Sequence, residues 1–293
     1  MKKIEGSIVA LITPFAEDGS VNYDKLGELL DWHCDNGTDA ILVLGTTSES
    51  PTMSHAEDLL ICEYAVKRVN GRVPIIASSG SNCTQTVIEK SLDFQRAGAD
   101  ALLNIAPYYN KANKEGMYRH FAEVADRVDI PIILYNVPGR TGCSIPVDVV
   151  GRLSQHEKII GIKEASGDLS YVAKIAKYAN DNFAIYSGND DVILPVLSLG
   201  GSGVISVLAN IMPQETHDMV MNFLNGNVQD AIKEQVRLMP LINNLFIEVN
   251  PIPCKEAMNL MGMGVGGFRL PLCNATPENV AILKKSMEDA GLL

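Results

Sequence analysis

Eight short apolar runs, each followed by a longer amphipathic stretch, set the rhythm of this chain. The runs are Ser7–Thr13, Asp39–Leu44, Val73–Ser78, Asp100–Ala106, Ile130–Asn136, Lys158–Lys163, Phe183–Ser187 and Gly203–Val207. They are rich in β-branched residues and carry charge only at their ends, the pattern of strands buried on both faces. The stretches between them carry helix punctuation. Asn22 can cap a helix ending near Asn36-Gly37, Ser54 and Glu57 have the capping-box spacing, and Thr84 opens a helix that stops at Gly98. Such alternation predicts an α/β protein, a (β/α)8 TIM barrel of parallel strands. A doubly wound open sheet is the alternative, but the turn from Pro14 to Gly19 carries no G-x-G-x-x-G phosphate fingerprint.

After Asn225-Gly226-Asn227 the strand signals stop. Helical patterns follow at Val228 to about Ile247, at Pro253 to Met261, and after Thr276-Pro277-Glu278, where threonine caps and proline takes the first turn. The expected division is a catalytic barrel at 1–225 and a C-terminal helical region at 226–293.

Composition narrows the partners. The 293 residues, 46% hydrophobic and 20% charged, give ample core for a globular protein. A net charge of −11 excludes nucleic acid and an anionic membrane as expected partners. The six cysteines are scattered without a C-x-x-C pair, which fits reduced thiols in a cytoplasmic protein. Met1-Lys2-Lys3 leads into no apolar run, so neither a signal peptide nor a membrane span is expected. The five histidines show no ligand spacing, and neither a metal nor a cofactor is expected.

Barrel chemistry sits on the loops after the strands. Lys163 closes the sixth run, and strand alternation puts Ile159, Gly161 and Lys163 on one face, with the glycine leaving room. Two readings are open: a lysine reaching from a strand end to water, or an amine in a dry pocket, its pKa lowered, able to form a Schiff base. After the second run, Gly45-Thr46-Thr47-Ser48-Glu49-Ser50 is either a carboxylate cradle or a solvated turn. Tyr108 and Tyr109 follow the fourth run. Tyr135 lies in the fifth on the same face as Ile133, beside the lysine strand, and Pro138-Gly139 turns the chain so as to aim Arg140. After the seventh run, Asp190 and Asp191 would repel a phosphate, which favours a carboxylated, unphosphorylated substrate.

Three segments, Gly45-Thr46-Thr47-Ser48-Glu49, Tyr135–Gly142 and Gly161–Gly167, resemble the dihydrodipicolinate synthase family, and the likeness runs end to end. The lysine and G-[ST]-T-x-E motifs belong to the wider pyruvate-dependent class I aldolases; the arginine of Pro-Gly-Arg-Thr is more particular to the synthases. The resemblance implies a lyase that condenses pyruvate with aspartate semialdehyde on Lys163 in lysine biosynthesis. Tyr135, Thr46 and Tyr109 would relay protons, Tyr109 coming from the partner subunit of a homo-oligomer built as a dimer of dimers. Thr47, Gly188 and Ile205 would form the pyruvate site, and Arg140 would take the semialdehyde carboxylate. Ser48 stands where glycine is usual and should stiffen the loop. A sister aldolase acting on a sugar acid, or a barrel that binds without catalysis, are the other readings.

The same resemblance maps an allosteric lysine pocket onto Ser50, His55, Asn82 and Tyr108. Two positions depart from the lysine-inhibited pattern: Asp58 replaces a histidine, and Thr86 replaces the glutamate that would pair with the effector's ammonium. Weak inhibition or none is therefore expected.

Overall fold

In the computed structural model, which describes residues 3–293, the eight runs form a closed parallel barrel in sequence order. The strands are β1 (Gly6–Ala10), β2 (Ala40–Val43), β3 (Ile75–Ser78), β4 (Ala101–Ile105), β5 (Ile132–Asn136), β6 (Ile159–Glu164), β7 (Ala184–Ser187) and β8 (Gly203–Ser206). Each is somewhat shorter than its apolar run or shifted by a residue, because the apolar pattern continues where the backbone has already left the ladder. At β2, for instance, Leu44 turns left-handed at φ 63°. Met1 and Lys2, the start of the segment read as lacking a signal peptide, lie outside the described residues.

Closure depends on β1 and β8 approaching closely, with Gly6 paired to Gly203. A Cβ on Gly203 would stand 2.1 Å from the Gly6 carbonyl oxygen, so only glycine permits the seam. Inside the barrel, Ile8, Leu42, Leu103, Ile133 and Tyr186 interdigitate, while Val9, Ile41, Leu102, Leu134 and Ile185 face the surrounding helices. The expected helix starts are present. Asn22 accepts from the Lys25 amide, and Ser54 and Glu57 form a reciprocal capping box. A further cap, from Asp168, opens the helix Leu169–Ile175.

One expectation is corrected. Ile159 does not share a face with Lys163. The β5–β6 register shifts between Ile132 and Ile133, which pair with Ile159 and Gly161, so Ile160 is the extra residue of a bulge. Ile159 therefore packs outward with the helices and Ile160 inward. Nor does Gly161 serve mainly to make room for the lysine: a Cβ there would meet the Ala184 carbonyl oxygen at 2.6 Å, on the neighbouring strand.

The C-terminal helices Val228–Asn244, Ile252–Leu260 and Pro277–Ala290 lie where the pattern places them. Their Leu238, Leu241, Met258, Leu283 and Met287 belong to the same hydrophobic cluster as the sheet–helix layer of the barrel. Among the described residues no helix is long and apolar enough to cross a membrane.

Candidate active site

Tyr135 and Lys163 are direct neighbours across β5 and β6, in register and both directed into the barrel at its carboxyl end. The lysine Nζ lies 4.6 Å from the centroid of the phenol ring. Lys163 is only 7% exposed, and burial lowers its pKa to about 8; the Asp190 carboxylate pulls the other way and the Arg140 guanidinium assists. The reading of Lys163 as a strand-end lysine reaching water is therefore replaced by the amine in a dry pocket. Burial also raises the pKa of the Tyr135 phenol, against Arg140 and the Thr46 hydroxyl, which both favour the phenolate.

These groups border an open pocket whose wall also includes Gly45, Thr46, Thr47, Arg140, Gly188 and Asn250. Its turn after β2 is tightly tied. The Ser48 hydroxyl donates to the Leu11 carbonyl and accepts from the Gly45 amide, the stiffening expected of serine at this position. Arg140 rides on the single helical turn Pro138–Thr141, and its Nη2 donates to the Asn250 carbonyl at 3.1 Å. Ile205 is fully buried among the side chains inside the barrel, deeper than the cavity wall.

On the outward face, the strand residues next to Tyr135 and Lys163 form a clamp. Asn136 Nδ2 donates to Glu164 at 2.6 Å, Glu164 accepts from the Ser166 amide at 2.6 Å, and Asn136 Oδ1 accepts from Ile145 N at 2.9 Å. This clamp ties the loop that carries Arg140 to the end of the lysine strand. Among the described residues, no three His, Cys, Asp or Glu side chains gather as a metal site.

Two residues that act on groups of the site escaped the sequence reading. Asn250 comes from the helical region, yet its Nδ2 donates to Thr47 Oγ1 at 2.9 Å inside the site. Asp190 was read only as a carboxylate that repels phosphate. It is instead buried, accepts from the Val207 and Leu208 amides at 3.0 and 2.9 Å, and acts on Lys163. Its place at the end of β7 was the available signal. For Asn250 no local pattern existed.

Tyr109 is not brought to the site by its own chain. It is 92% exposed on the loop after β4, with φ 68°. The four positions of the mapped effector pocket are likewise unconnected by hydrogen bonds to one another. Ser50 donates to Asp58, His55 pairs with Asp93 at 2.7 Å, and the Asn82 carbonyl accepts from Asn110.

Comparison with known proteins finds similarity along the whole chain. Residues 3–290 match the model of the dihydrodipicolinate synthetase family. The chain is 51% identical over 289 residues to the 4-hydroxy-tetrahydrodipicolinate synthase of Clostridium perfringens, covering 99% of each. It superposes on the dihydrodipicolinate synthase of Cyanidioschyzon merolae with lysine bound at TM-score 0.96, 39% identity and 99% coverage of each chain. A monomeric dihydrodipicolinate synthase variant is also similar, with TM-score 0.96, 35% identity and coverage of 99% and 98%.

Only the neutral amine of Lys163 is a nucleophile, so kcat/KM for a ketoacid should rise with pH through about 8 and level off above it. Asp190 favours the charged amine. Asp190→Asn should therefore move the midpoint to lower pH, and an unmoved or raised midpoint in the pH–rate profile would contradict this coupling.

Proposed function

The chain belongs to the dihydrodipicolinate synthetase family, and on that footing we propose that it condenses pyruvate with L-aspartate-4-semialdehyde to give 4-hydroxy-tetrahydrodipicolinate, as a Schiff-base lyase of diaminopimelate and lysine biosynthesis. The observation that carries the reading is a buried amine, its pKa near 8, packed against a phenol at the carboxyl end of the barrel. The Lys163 amine attacks the ketone carbon of pyruvate, and water leaves as the imine forms. Loss of a methyl proton gives the enamine, whose terminal carbon adds to the semialdehyde aldehyde. The semialdehyde's own amine then attacks the imine carbon, closing the ring and freeing Lys163.

Each step needs a proton donor or acceptor within hydrogen-bond reach. Tyr135, beside Lys163 and in contact with Thr46, is assigned that work, and Tyr109 of the partner subunit completes the relay. Thr47 and Gly188 border the pyruvate carboxylate and methyl, with Ile205 behind them. Arg140, at the cavity wall, takes the semialdehyde carboxylate with its bidentate fork. The cytoplasm is the proposed compartment, supported by six unpaired cysteines.

Borohydride added with pyruvate should attach one reduced pyruvate to the peptide holding Lys163, read by mass spectrometry; no adduct, or one elsewhere, would sink the assignment.

The assembly is inferred to be a dimer of dimers in which each tight pair shares its sites. The support is Tyr109: a tyrosine 92% exposed, in a left-handed conformation, has nothing of its own chain to serve. Mixed dimers of Tyr109→Phe and Lys163→Ala subunits contain one site with both native residues. Activity should reappear on mixing, and its absence in verified mixed dimers would refute a shared site.

Feedback by lysine should be weak or absent. The Asp58 carboxylate, which could have received the effector's ammonium in place of a glutamate, is buried and already paired with Lys90 at 2.7 Å. Thr86 supplies no charge. A missing charge-assisted bond costs roughly 1.5–3 kcal/mol, about ten- to a hundredfold in affinity. Initial rates should therefore respond little to lysine, and Thr86→Glu should increase the response; tight inhibition of the unaltered protein would overturn this account.

A further inference from the structure

We propose that Glu49 and Lys255 are positioning residues for the ketoacid site: their buried ion pair lets the C-terminal region hold the Thr46-Thr47 turn in the shape that grips a carboxylate. The proposal rests on reading that turn as the pyruvate carboxylate site.

Both side chains are 0% exposed, and Lys255 Nζ lies 2.9 Å from Glu49 Oε1. The ammonium has three protons and three acceptors, the others being the carbonyls of Thr13, at 3.1 Å, and Gly267. Phe15 and Phe268 flank it, with ring centroids 4.4 and 5.0 Å from Nζ. The second oxygen of Glu49 accepts from the Arg269 amide at 3.2 Å. The Arg269 side chain then reaches Gly19, Thr52 and Glu57. The pair thus joins the loops after β1 and β2 to the helix Ile252–Leu260 and the segment beyond it.

Neither charge borders the cavity, so this is not catalytic machinery. Nor is it an economical way to hold a fold together, because an apolar pair of similar volume commonly stabilises a protein as well or better. What a fully satisfied ion pair adds is a single direction. Glu49 sits at φ 60°, a left-handed conformation that a non-glycine residue keeps only under constraint. Its amide donates to the Thr46 carbonyl at 3.1 Å, and the Ser48 amide to the Gly45 carbonyl at 3.1 Å. The twist at Glu49 is therefore passed directly to Thr46 and Thr47, which do border the cavity. Release of the Glu49 carboxylate would let the turn relax toward ordinary backbone and turn the two hydroxyls off their target.

The test is the double variant Glu49→Gln/Lys255→Met, which removes both charges and strands neither. Two quantities are read: the thermal midpoint, and the pyruvate concentration giving half-maximal borohydride trapping at Lys163. The expected result is a variant that still unfolds cooperatively, its midpoint lowered by the Thr13 and Gly267 carbonyls left unpaired, with the pyruvate requirement raised tenfold or more and the KM for semialdehyde within twofold. A folded double variant that traps pyruvate at the original concentration overturns the proposal. If the double variant does not fold, Glu49→Gln alone carries the same comparison; failure of both to fold makes the pair structural and also overturns it. Unaltered protein that traps no pyruvate sinks the functional reading, and the proposal with it. Trapping in the unaltered protein with no shift in the variant sinks only the proposal.

Discussion

The parallel register of β5 and β6 is the constraint on which the site depends. It sets Tyr135 beside Lys163 and aims both into the barrel, where the amine has little water to solvate its charge. Desolvation does most of the activation: it lowers the lysine pKa toward the pH at which a neutral amine is common, without a neighbouring base. The phenol responds to the same burial in the opposite sense and stays protonated, which keeps a proton donor next to the amine. One geometric fact thus sets the protonation of two groups in complementary directions.

A one-residue slip of β6 in that register would turn Lys163 to the helix layer, away from Tyr135. Two features guard against it. The Ile160 bulge takes up the extra residue before Tyr135 and Lys163, and a glycine lets β7 approach closely at that point. At the strand ends, the Asn136–Glu164 hydrogen bond fastens β5 to β6 on the outward face, one residue beyond the Tyr135–Lys163 pair. The same clamp reaches Ile145 and Ser166, so the loop bearing Arg140 is held relative to the lysine by the side chains that hold the strands relative to each other.

The C-terminal helices enter this scheme as more than a covering layer. Their apolar residues continue the core of the barrel, and two of their polar ones reach the turn after β2: Asn250 contacts Thr47, and Lys255 contacts Glu49. The turn's own hydrogen bonds hold it only locally. Contacts from some 200 residues away in sequence supply what local propensity does not.

The sequence by itself determined the rhythm of strands and helices, the closed barrel as the preferred architecture, and which strand ends border the pocket. Those inferences rest on local rules, namely period, capping and the carboxyl-end location of barrel sites, and Lys163, Tyr135, Thr46, Thr47 and Arg140 were legible through them. The tertiary structure decided which way Ile159 faces, because a bulge belongs to a pair of strands and leaves no mark in one. It also decided that Asp190 acts on the lysine, that Asp58 is taken by Lys90, and that Asn250 and Lys255 reach the turn after β2. Each of these is a meeting of side chains distant along the chain in a shared, dry interior, and no periodicity encodes which distant residue will arrive there.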